Sequence, residues 1–125
     1  MGFEADLRDR AIEAGVAEFH WGEVPQGTAL PYAVATTISD PRPAHLKGFM
    51  GGRTTRVQVD CYALTSKAAR EMAEALVTTL SVPATQGGTR FGWSQAAGPI
   101  DRSQDVGGKT IHNLMIEFAV FHRQI

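Results

Sequence analysis

The residues from Arg56 to Leu80 constrain the fold more than any others, because within them the hydrophobic period switches from two to 3.6. Val57, Val59, Cys61 and Ala63 alternate with Arg56, Gln58, Asp60 and Tyr62. That alternation predicts a strand with one buried and one wet face, as in an antiparallel sheet covered on one side. From Ser66 to Leu80, Ala69, Met72, Ala73, Leu76, Val77 and Leu80 recur at helical spacing, with Lys67, Arg70, Glu71, Glu74 and Thr78 opposite them. Thr65 or Ser66 can cap the first turn, and Pro83 lies just past the end. The small residues on the inner face of this helix match Cys61 and Ala63, so strand and helix are expected to pack closely.

Weaker signals flank this unit. Phe3, Leu7, Ala11 and Ala14 stack on one face of a predicted helix, Phe3 to Ala14, which Gly15 ends. Val16 to Val24 is weakly β-like through Val16, Phe19 and Trp21, and runs into the turn Pro25-Gln26-Gly27. Tyr32 to Ser39 reads as a strand. Asp40 to Gly52 holds Pro41, Pro43, Gly48, Gly51 and Gly52, which predicts a long loop. The C-terminal third reads as a hairpin, Thr89 to Ala97 and Thr110 to Arg123, joined by a polar connection from Gly98 to Lys109. In its second strand Leu114, Ile116, Phe118 and Val120 form one face, and Ile111, Met115, Ala119 and Phe121 the other, with Glu117 among them. Apolar residues on both faces imply a central strand covered twice, the second cover coming from another subunit. The expected fold is α+β: a single domain over residues 1–125, with a mainly antiparallel sheet of four to five strands and two α-helices packed on one face.

Composition removes several function classes. At 125 residues the chain suits one domain, and 43% hydrophobic residues are enough for a core without staples. Twelve Lys and Arg against thirteen Asp and Glu leave a formal net charge of −1, so no global field recruits nucleic acid or an anionic membrane. The lone Cys61 cannot form an intrachain disulfide, which fits a reducing compartment. The first ten residues alternate charged and apolar side chains without a signal-peptide core, and no run is apolar enough to span a membrane. A soluble protein made in the cytoplasm is expected.

The search for chemistry is negative. His112 and His122 would lie about 33 Å apart on a regular strand, too far to share a metal. His20 and His45 have no partner at ligand spacing. Cys61 falls on an apolar strand face, where a buried thiol is inert. The stretch from Gly48 to Thr54 lacks the Gly-Lys-Ser/Thr ending of a phosphate loop, and a strand follows where a helix should begin. No Ser sits in a Gly-x-Ser-x-Gly elbow. The expectation is no catalytic residue, no cofactor and no metal. One charge feature remains: Arg42, Lys47, Arg53 and Arg56 run without an intervening acid. The plain reading is a solvated loop and strand edge; the sharper one is an arm, with Phe49 and Met50 as apolar anchors, that docks on a partner or a polyanion.

The turn Val24-Pro25-Gln26-Gly27-Thr28-Ala29-Leu30-Pro31-Tyr32, the segment Val34 to Ser39, and Arg56-Val57-Gln58-Val59-Asp60-Cys61-Tyr62-Ala63 leading into the helix from Ser66 together resemble a known family. It is the tail completion or tail terminator family of long-tailed phages, prophages and gene transfer agents. The resemblance covers nearly the whole chain and implies a structural protein without catalytic residues. It also implies a self-assembled ring, commonly hexameric, at the head-proximal end of the tail tube, which stops tube polymerisation and joins the head–tail connector. The implied partners are further copies of the chain, the tail tube protein and the connector. The resemblance further implies a lumen through which DNA can pass passively, and no membrane. Assembly would occur in the host cytoplasm, and the product would reside in the virion tail or neck. The expected interface residues are Arg42, Lys47, Phe49, Met50, Arg53, Arg56, Met115 and Phe121. The alternatives are another neck or minor tail component, or a small α+β enzyme or ligand-binding domain with a pocket lined by His112 or His20.

Overall fold

The computed structural model describes residues 2–16, 18–39 and 52–125. Its elements are α1 (Phe3–Glu13), β1 (Phe19–Trp21), β2 (Tyr32–Ser39), β3 (Arg53–Ala63), α2 (Ser66–Leu80), β4 (Ala84–Gln86), β5 (Thr89–Phe91), β6 (Gln95–Asp101), β7 (Gln104–Val106) and β8 (Lys109–Gln124). The strands follow the order β1-β2-β3-β8-β5-β4, with β6 and β7 also paired to β8. Only the edge pair β1·β2 is parallel. The α+β class and the mainly antiparallel sheet are as expected, but the sheet has eight strands rather than four to five.

The extra strands all come from the C-terminal third. The predicted strand from Thr89 to Ala97 is broken at Gly92, Trp93 and Ser94 into β5 and β6. The predicted connection from Gly98 to Lys109 is largely extended: β6 continues to Asp101, and β7 hydrogen-bonds to the start of β8. Its residues are exposed on both sides, so no buried face imposed a period of two on the sequence. β4 and β5 form a tight hairpin through Gly87 and Gly88. Gly87 has φ +58°, and a Cβ there would collide with Asp6 Oδ1, so the turn requires glycine on both counts.

Both helices lie on one face of the sheet. The Thr65 hydroxyl caps α2 by accepting from the Ala68 N–H at 3.1 Å. Ala69, Ala73, Leu76 and Leu80 then bury against Val57, Val59, Cys61 and Ala63 of β3 and Leu114, Ile116, Phe118 and Val120 of β8. The small side chains of helix and strand meet as the sequence implied. α1 adds Phe3, Leu7 and Ala11 to the same core. Apolar spacing gives no hint that Asp6 and Arg10 are buried with them. Thr89 Oγ1 donates to Asp6 Oδ2 at 2.6 Å. The Arg10 guanidinium donates to the carbonyls of Thr79 and Val82 and stands 4.9 Å from the centre of the Phe91 ring. Arg10 thus satisfies carbonyls at the C-terminal end of α2, which lack helical partners of their own. His122 is buried between Thr55, its Nε2 being 2.8 Å from Oγ1, and Phe3, on whose ring it stacks at 3.9 Å.

A candidate interface

Among the described residues no helix lies on the opposite face of the sheet. Cross-strand register places Thr54, Arg56, Gln58, Asp60 and Tyr62 of β3 beside Phe121, Ala119, Glu117, Met115 and Asn113 of β8 on this side. Tyr32, Val34 and Thr36 extend it across β2, and Gln95, Ala97 and Ile100 across β6. The face is mixed rather than apolar. Met115, Glu117 and Ala119 are half-buried, and Phe121 is 45% exposed. The Phe121 ring lies over Gly52 and Gly92, occupying the space a Cβ at either would need, 2.7 Å away in both cases. Two glycines on the flanking chains thus make room for an aromatic ring on an uncovered sheet.

Polar groups order the rest of this face. Arg56 Nη2 pairs with Glu117 Oε1 at 2.8 Å. Gln58 Nε2 donates to Asp60 Oδ2 at 2.9 Å, and Arg102, reaching over β8 from beyond β6, brings Nη1 to 3.7 Å from Asp60 Oδ1. Asp60 and Asn113 are buried beneath this arm although they face away from the helices. The rings of Tyr32 and Tyr62 lie 5.3 Å apart. Burial, reinforced by Asp60, raises the Tyr62 hydroxyl above its ordinary range, so it stays protonated at neutral pH.

The structure gathers only part of the expected interface set. Arg56, Met115 and Phe121 share the uncovered face, and Arg56 is already engaged by Glu117. Arg53 opposes His122 and so belongs to the helix-covered side at the sheet's end. Arg42, Lys47, Phe49 and Met50, with the predicted loop up to residue 51, lie outside the described residues. Sequence reading missed Trp93, which is 74% exposed at the break between β5 and β6. The Gly92 that precedes it was the available signal, since a glycine within a strand pattern marks a bulge or break. It also missed a groove of about 630 Å³ between the end of α1, the segment before β2 and the outer side of α2. Val16, Leu30, Pro31, Met72 and Ala75 line this groove, with Glu18 and Glu71 on it.

Little here resembles a catalytic centre. No three His, Cys, Asp or Glu side chains among the described residues gather to hold a metal. Cys61 is buried, and burial, with nearby Asp60 adding to it, pushes its thiol up to about 12, away from the thiolate needed for nucleophilic attack. His20 is tied to Glu18 at 2.8 Å, and neither His20 nor His112 lines the groove. Among the described residues no helix is long and apolar enough to cross a membrane.

The described residues thus form a small α+β fold with helices on one face of the sheet and a mixed, partly exposed surface on the other. Residues 4–119 match the family model described as tail completion protein gp17. The chain belongs to this family and is a structural component of a phage tail. Membership of a structural family suggests a role other than catalysis. No curated protein matches the chain.

Proposed function

We propose that the chain assembles into a ring, six copies being the expected number, on the head-proximal end of a tail tube. The ring ends tube polymerisation and presents the surface on which the head–tail connector docks. DNA crosses its lumen passively, and no cofactor, metal or catalytic residue takes part. Assembly occurs in the cytoplasm of the host of a phage, prophage or gene transfer agent, and the finished ring resides at the neck of the particle. The observation that carries this reading is the family match over residues 4–119. The uncovered sheet face supports it, because β8 carries apolar side chains there that a single copy leaves partly in water. We place the subunit and tube contacts on Arg42, Lys47, Phe49, Met50, Arg53, Arg56, Met115 and Phe121. The test is deletion of the gene in its particle-producing strain. Electron microscopy should then show tails of uncontrolled length without heads, and expression in trans should restore normal particles. Tails of normal length joined to heads in the deletion strain would refute the reading.

A further inference from the structure

The molecule carries two complementary surfaces that one copy cannot bring together. The first lies where β5 meets the end of β8. Arg90 and Arg123 are direct cross-strand partners there, an arrangement of like charges that destabilises a sheet. Arg90 Nη1 donates to Thr85 Oγ1 at 2.9 Å, and among the described residues no carboxylate pairs with either arginine. Trp93, three residues from Arg90, is the most exposed large apolar side chain described, and the half-exposed Phe121 lies two residues from Arg123. An exposed tryptophan close in sequence to arginines without a carboxylate partner supplies the residue types that anchor interfaces.

The second surface is the groove on α2. Its floor is apolar, through Val16, Leu30, Pro31, Met72 and Ala75; Glu71 supplies negative charge on it, with Glu18, which also contacts His20, beside it. It accepts what the first surface offers: an indole for the floor and guanidinium groups for the carboxylates. The two surfaces are far apart. Phe121 opposes Thr54, whereas Tyr32, which follows the groove's Pro31, opposes Tyr62 eight residues further along β3, a separation of about 26 Å. They also lie on opposite sides of the sheet.

We propose that the Trp93, Arg90 and Arg123 surface of one copy docks into the α2 groove of a second copy. Such a contact is head-to-tail, uses two different patches and propagates until it closes into a ring. The inference rests on the ring reading above and gives it an interface.

Native mass spectrometry of the full-length protein and its variants tests both. Trp93→Ala and Glu71→Arg each alter an exposed position, so circular dichroism and the thermal midpoint should stay at wild-type values. Each should weaken subunit association about thirty-fold or more, as for an interface anchor. Mixing the two variants leaves one intact patch and one intact groove per pair, so a heterodimer that grows no further is expected. Rings that persist in Trp93→Ala overturn the docking and leave the ring reading in place. Loss of rings in both variants with no heterodimer on mixing overturns the pairing of this patch with this groove. A Trp93→Ala ring that forms normally but no longer caps tails assigns the patch to the tube, and also overturns the docking. A wild-type protein that never assembles removes the ring reading and the docking with it.

Discussion

On β3 and β8 the same two strands face different surroundings. Toward the helices, Val57, Val59, Cys61, Ala63, Ile116, Phe118 and Val120 are essentially without solvent contact. Toward the other side, Arg56, Gln58, Glu117, Ala119 and Phe121 mix charge, amide and aromatic ring and retain exposure. One face is close-packed, so each methyl group lost leaves a cavity. The other holds Asp60 and Asn113 buried but otherwise relies on exposed pairs that water competes for, each of which contributes little to folding. Stability thus rests far more on one side of this sheet than on the other.

The division predicts a steep asymmetry between substitutions. Leu76→Ala removes a fully buried side chain between α2 and the sheet and should lower unfolding free energy by about 2–5 kcal/mol in a denaturant titration. A loss below about 1 kcal/mol would mean that the helix does not seal this face. Arg10→Ala comes next, at about 2–3 kcal/mol, because it strips a charged donor from the carbonyls of Thr79 and Val82 and uncovers the Phe91 ring. Arg10→Met keeps the apolar stem without the donors. If it recovers the whole loss, the hydrogen bonds contribute nothing and α1 is held by packing alone.

Cys61 reports on the covered face through pH. Burial raises its thiol from 9.0 to about 12, with Asp60 adding to the effect. Between those values the folded protein keeps a proton that the unfolded chain has released. The contribution is therefore complete below pH 9 and is lost as pH rises toward 12. Wild type should lose stability relative to Cys61→Ala by about 1.4 kcal/mol per pH unit in that window. A pH-independent difference between the two proteins would place the thiol in water. A thiol reagent should modify the native protein no faster than it unfolds.

Legibility in the sequence follows the same division. The β3–α2 unit could be read nearly to its boundaries because burial on one side forces a period of two and then 3.6, and nothing else produces both in succession. β8 could be read as central because its apolar residues lie on both faces. What could not be read is what burial does not select. β6 and β7 are exposed arms held by backbone hydrogen bonds, which any side chain can make. The buried Asp6 and Arg10 look like surface charges until Thr89 and the carbonyls of Thr79 and Val82, about seventy or more residues away, are brought to them. The interface candidates split for the same reason. Met115 and Phe121 stand out as excess apolar side chains on a strand, Trp93 is signalled only by the glycine before it, and the α2 groove arises only when distant segments meet.

The smallest expected effect tests the uncovered face. Arg56 and Glu117 make the shortest Arg–carboxylate contact described there, 2.8 Å, yet their side chains are 53% and 33% exposed. Water screens both partners, and holding two long side chains in one geometry costs rotamer entropy, so Arg56→Ala should cost less than about 1 kcal/mol. Raising salt should shrink even that difference, because the pair lies within reach of mobile ions. Thermal unfolding of Arg56→Ala, Glu117→Gln and the double variant at low and high ionic strength measures the coupling directly. A coupling above about 2 kcal/mol that salt does not weaken would show that this side of the sheet matters as much to folding as the helix-covered one, and the contrast between the two faces would fail.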